Sequence, residues 1–217
     1  MKKNILSIIK EKIHRLAGTT IIVFGPPRSG TTLVYNILKD IFPKRNVEHR
    51  HTYRKKDEKF PTVVVYRHPL DCITSSILRY KLKPTQEVIQ QQILEFENND
   101  IWKVIEVKDN KNTLMLKYED FVHNFEIVFN AAEKFFNIKI YSDIRKLINE
   151  RYNINSVEKI TGKMETYKEM DRKTLFHGKH FNINKGEPNY HKNFLKEDQI
   201  VYLSNIYKNF LLTFNYK

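Results

Sequence analysis

The segment Thr20–Leu38, TIIVFGPPRSGTTLVYNIL, constrains the fold of this chain more than any other. A β-branched apolar run meets a Gly/Pro turn, and Leu33, Ile37 and Leu38 then recur at helical spacing, so the segment predicts strand, tight loop, helix. That architecture suits an oxyanion. The N–H groups opening the helix lack intrahelical partners and carry partial positive charge, and the small residues Ser29 and Gly30 allow an anionic oxygen close to the backbone.

The position of the cation narrows what such a loop holds. A loop gripping a magnesium-bridged triphosphate needs Gly, four residues, Gly, then Lys and Ser/Thr. Gly25 and Gly30 have that spacing, but Thr31 takes the lysine position and the cation stands upstream as Arg28. This suits a nucleotide whose terminal group is held directly.

A second strand-to-helix junction lies downstream. The near-continuous run Pro61–Tyr66 predicts a strand buried on both faces of a parallel sheet. It ends at Arg67-His68-Pro69, and proline at the first helical position starts a helix through Asp71, Ile73, Ile77 and Leu78. Arg67 therefore stands at the carboxyl end of a strand, where ligands bind in open α/β sheets, and Ser75 lies about two turns into the helix. A guanidinium fork and a hydroxyl converging there suit one phosphate.

These residues resemble the sulfotransferases that use 3′-phosphoadenosine 5′-phosphosulfate (PAPS). Pro27 through Thr32 matches their 5′-phosphosulfate loop, Pro-(Lys/Arg)-Ser-Gly-(Thr/Ser)-(Thr/Ser), and Arg67, Pro69, Asp71 and Ser75 match their 3′-phosphate motif, Arg-x-Pro-x-Asp-x-x-x-Ser. Tyr118-Glu119-Asp120, after a predicted strand Thr113–Lys117, resembles the family segment whose tyrosine lies near the adenine. A late family segment, Arg-Lys-Gly-x-x-Gly-x-Trp-Lys, folds over the nucleotide. Lys185, Gly186 and Lys192 match it, whereas Asn184, Asn189 and His191 depart. The resemblance implies a three-layer α/β fold with a central parallel sheet flanked by helices, like the P-loop nucleotidases. It also implies PAPS as co-substrate, adenosine 3′,5′-bisphosphate (PAP) as product and no metal. Cofactor contacts are then expected from Arg28, Ser29, Gly30, Thr31, Thr32, Arg67, Ser75, Tyr118, Lys185 and Gly186, with Arg28 also stabilising the departing bridging oxygen.

Transfer to a hydroxyl needs a general base. The family's soluble members place a histidine in a Lys-Thr-His segment between the two phosphate motifs, which corresponds here to His49-Arg50-His51. His51 is the first candidate and His49 the second. Glu48 stays open because some glycan-modifying relatives use a glutamate.

Composition sets the remaining bounds. The chain has 217 residues and is 41% hydrophobic, enough for one domain with a core, expected over 1–217. Lys and Arg number 38 against 25 Asp and Glu, a net charge of +13 that calls for anionic partners. No DNA-reading motif accompanies the charge, so no nucleic-acid partner is expected. Residues 1–16 carry a helical apolar stripe broken by Lys and Glu, which fits neither a signal sequence nor a membrane span. The lone cysteine, Cys72, fits a reducing compartment, so the expectation is cytoplasmic.

Two more helices are expected before Thr113 and two between Phe125 and Ile148, with Arg54–Lys59 as a charged loop. Residues 151–192 are expected as a loop-rich segment closing over the cofactor, and a C-terminal packing helix follows around Leu203 and Phe210. The acceptor is not specified. The chain is shorter than typical soluble relatives, which favours an open site and a polar acceptor such as a glycan or peptide. A P-loop kinase or other nucleoside-triphosphate enzyme remains the alternative, and a non-catalytic basic binding protein a third class.

Overall fold

The computed structural model describes residues 20–178 and 185–216, so the helix expected over 1–16 and the departure at Asn184 lie outside the described residues. The chain runs β1 (Thr20–Phe24), α1 (Thr31–Ile41), β2 (Asn46–Arg50), β3 (Thr62–Tyr66), α2 (Pro69–Arg79), α3 (Gln86–Asn98) and the single turn α4 (Lys103–Glu106). It continues through β4 (Thr113–Lys117), α5 (Tyr118–Phe121), α6 (Glu126–Phe136), α7 (Ser142–Tyr152) and α8 (Ile154–Thr161). The last described elements are α9 (His191–Phe194), α10 (Glu197–Ile206) and α11 (Lys208–Thr213).

The four described strands form one parallel sheet in the order β2-β1-β3-β4. Helices cover both faces, which is why β1 and β3 are apolar without alternation. Ile21, Val23, Val63 and Val65 face one core with Val34 and Ile37 of α1 and Phe129 of α6. Ile22, Phe24 and Val64 face the other, with Ile73 and Ile77 of α2, Phe96 of α3 and Phe210 of α11. β1 leads through α1 to β2 on one side, whereas its other neighbour is β3. The carboxyl ends of β1 and β3 therefore form the switch point where an open α/β sheet leaves a crevice.

Two expected elements differ. The charged loop is a 3₁₀ turn, Lys55–Lys59, because the fully buried Asp57 accepts from the Arg54 N–H at 2.9 Å and pairs with Arg50. The C-terminal helix is two helices, broken at Tyr207 where the backbone leaves helical ψ (φ −93°, ψ 14°).

Gly25 marks where the loop leaves β1. A Cβ there would sit 2.1 Å from the Val65 carbonyl oxygen of the neighbouring strand. Gly25→Ala is expected to destabilise the protein by about 1–3 kcal/mol through overpacking, read as a lowered Tm; an unchanged Tm would mean the loop relaxes freely.

Candidate active site

At the switch point lies a cavity of about 540 Å³. The loop between β1 and α1 builds its floor. Arg28 (φ 65°) and Gly30 (φ 93°) are both left-handed, so the chain curls tightly between them. Such a backbone costs a non-glycine residue about 1 kcal/mol or more, and here it sets Arg28 Nε 3.0 Å from Ser75 Oγ. Ser29 is fully buried and its hydroxyl donates to the Pro26 carbonyl at 2.7 Å, so its side chain shapes the turn and does not line the cavity. Gly30 caps α1 without a side-chain bond, leaving the first-turn N–H groups beside Thr31 and Thr32 to face an anion. A Cβ on Gly30 would meet the Tyr118 ring at 2.6 Å.

Two arginines meet here from motifs far apart in sequence. Arg67, 3% exposed, follows β3 and places its guanidinium 4.3 Å from the centre of the Tyr118 ring. Its Nη groups donate to the carbonyls of Arg28 (3.5 Å), Gly186 (3.3 Å) and Glu187 (3.2 Å), and its buried Nε has no partner. The nearest carboxylate contact, with Asp71, is 3.8 Å. A buried cation with an orphaned donor and long carbonyl bonds is under-satisfied and fits a phosphate. Burial, then the charges of Arg79 and Arg67, pulls Arg28 down to about 10, so it stays cationic at neutral pH.

β2 carries His49 near its end, and His51 follows just beyond it. Strand alternation turns His49 toward α1, with Nε2 2.9 Å from Thr31 Oγ1, and Glu48 the opposite way. The Glu48 carboxylate pairs with Arg50 and accepts from the Asn46 amide at 2.9 Å, and it does not line the cavity. Of the three base candidates the cavity therefore brings together His49 and His51 but not Glu48. His51 and His49 both line the cavity, rings edge to face at 4.7 Å. His51 Nδ1 lies 2.8 Å from the Gly25 carbonyl oxygen, which can only accept; the neutral ring therefore carries its proton on Nδ1 and its lone pair on Nε2. Burial lowers His51 despite that bond, and burial with the neighbouring His51 and His177 lowers His49 to about 4.

The late segment is pinned by the aspartate of the second motif. Asp71 accepts from the Asn189 N–H (2.6 Å), the His191 N–H (3.0 Å) and the His191 ring Nδ1–H (2.7 Å), and His191 stacks on His68 at 4.5 Å. Burial alone would raise the Asp71 carboxyl, but the His191 bonds and the Arg67 charge outweigh it and hold the group below its ordinary value. His68 also caps α2: its Nδ1 accepts from the Leu70 N–H at 3.2 Å. Asn189 stands in the left-handed region (φ 63°), so asparagine makes the turn where the family has glycine. Gly186 (φ 87°) lines the cavity and its carbonyl accepts from Tyr118 Oη at 2.9 Å. Lys185 does not line it; its ammonium pairs with Glu158 at 3.3 Å.

No protein-family model and no curated protein matches the chain. Solved structures do. A mouse sulfotransferase complexed with PAP superposes with a TM-score of 0.66 at 16% identity, over 89% of this chain and 84% of that one. Retinol dehydratase in complex with androsterone and PAP gives 0.63 at 14% identity, over 89% and 80%. The fold is that of the sulfotransferases.

This sulfotransferase-fold cavity also holds residues that motif reading leaves out. Arg79 lies one turn beyond Ser75 on α2, and the i, i+4 spacing from Ser75 is the signal that could have found it. Tyr167, Phe176 and His177 arrive on the stretch after α8, where no periodic pattern marks them. Among the described residues no helix is long and apolar enough to cross a membrane.

Proposed function

We propose that the protein is a sulfotransferase that moves a sulfuryl group from PAPS to a hydroxyl or amine of an acceptor. The observation that carries this reading is the meeting of the two phosphate motifs: Arg28 Nε bonds Ser75 Oγ, and Arg67 reaches the Arg28 carbonyl, in a cavity that His51 also lines. Guanidinium groups from two motifs, meeting at one crevice beside the N-terminus of α1, suit a nucleotide that carries more than one anionic group. Thr31 at the lysine position of a triphosphate loop bonds His49, which leaves that role unfilled.

In this reading the first-turn N–H groups of α1, with Thr31 and Thr32, hold the 5′-phosphate, while Arg67 and Ser75 hold the 3′-phosphate and Tyr118 borders the adenine. Arg28 meets the charge that grows on the bridging oxygen as its bond to sulfur breaks. His51 Nε2 takes the proton of the acceptor as the new bond to sulfur forms. Arg67 Nε, a buried donor without a partner, is the feature most in need of an anion.

Calorimetry with PAP and with ATP plus magnesium tests the reading. PAP is expected to bind and ATP to bind more weakly. Preference for ATP would favour a kinase-like enzyme, and binding of neither a non-catalytic basic protein.

A further inference from the structure

Beyond the phosphate anchors the cavity has a second basic wall. Arg79 ends α2, and Tyr80, Lys168 and His177 line the cavity around it. Arg79 Nε is buried and has no hydrogen-bond partner, and one Nη makes only a long bond, 3.4 Å, to the Tyr167 carbonyl. His177 Nδ1 is likewise buried and unpartnered. Glu95 is the one carboxylate among the lining residues; it attracts Arg79 without forming an ion pair with it. The guanidinium thus faces an electropositive cavity shared with Arg28, and each cation repels the other.

We infer that the acceptor carries a fixed anionic group, a carboxylate or a sulfate, near the group that receives the sulfuryl, and that Arg79 holds that anion. The inference rests on the sulfotransferase reading and deepens it. A neutral acceptor in the cavity would leave Arg79 Nε buried and unsatisfied, a costly arrangement for a charged donor. An anion there accepts from Nε and offsets the repulsion between Arg79 and Arg28, with Lys168 adding attraction from the rim. Arg28 and Arg67 already have anchoring roles toward the nucleotide, which leaves Arg79 for the second substrate. Burial pulls Arg79 below its ordinary value, the direction expected of a cation awaiting a counter-charge.

The test uses labelled PAPS and acceptors in matched pairs, 4-nitrophenyl glucuronide against 4-nitrophenyl glucoside and 4-hydroxybenzoate against 4-hydroxybenzyl alcohol. The wild type is expected to prefer the charged member of each pair by about tenfold in kcat/KM, since a partly open ion pair is screened. Arg79→Gln should erase that preference, Arg79→Lys should keep part of it, and PAP affinity should match wild type in both variants. Equal or better transfer to neutral members, transfer to no member, or a preference that survives in Arg79→Gln overturns the inference. So does a change confined to the KM for PAPS, which would place Arg79 on the nucleotide. Failure of the wild type to bind PAP would instead sink the enzyme reading beneath it.

Discussion

Replacing His51 with alanine is expected to slow the transfer step by about 10²–10⁴-fold while PAP affinity stays near wild type. The Gly25 carbonyl holds the Nδ1 proton at 2.8 Å, so the lone pair sits on Nε2. His49 shares its Nε2 with the Thr31 hydroxyl, which serves as donor or acceptor. Single-turnover rates separate chemistry from product release. Burial lowers the His51 pKa, so its neutral, proton-accepting form persists as pH falls below the ordinary value of 6.5 and is lost only on passing the lowered one. The acid limb of kcat/KM should therefore lie below pH 6.5 and disappear in His51→Ala. Glu48→Gln should leave turnover intact, because that carboxylate is engaged with Arg50 on the opposite face of β2. Wild-type turnover in His51→Ala with loss in His49→Ala would move the base by one ring, and full turnover in both would mean the proton leaves by another route.

The sheet and both strand-to-helix junctions were legible because each rests on local rules. β-branched runs buried on both faces, Pro69 at the first helical turn and a Gly/Pro loop each constrain one stretch of chain without reference to any other. The side-chain directions were not. Ser29 has the residue type of a phosphate ligand, yet its position between two left-handed residues turns the hydroxyl back to Pro26. Glu48 and His49 are neighbours in sequence and belong to opposite faces of a strand, so which of them lines the cavity required the sheet. Lys185 matched a motif, and its ammonium pairs with Glu158, 27 residues away, a partner no local pattern announces. Arg79 and His177 lacked a motif altogether; their shared cavity exists only once the stretch after α8 packs near the end of α2. The departure at Asn189 resolved in the other direction, since asparagine tolerates the backbone that the turn demands.

Arg67→Ala is expected to weaken PAP binding by about 1.5–3 kcal/mol, roughly 10–150-fold, and to leave adenosine 5′-monophosphate nearly unaffected. The two ligands share every group except the 3′-phosphate, so their difference isolates the contact assigned to Arg67. The magnitude follows from the environment: the side chain is 3% exposed, its Nε is an orphaned donor, and its Nη groups rest on carbonyls at 3.2 Å or more. A phosphate replaces weak acceptors with charged ones in a site from which water is largely excluded. Arg67 also props the carbonyls of Gly186 and Glu187, a strut role whose loss would lower affinity for both adenine nucleotides alike. Arg67→Lys separates the two effects. It keeps the charge but loses the fork, so an intermediate loss confined to PAP is expected. Asp71 keeps its three bonds from Asn189 and His191 in either variant, which holds the segment in place. Equal losses for the two ligands in both variants would refute the assignment of the 3′-phosphate to Arg67 and leave it as the strut beneath residues 186 and 187.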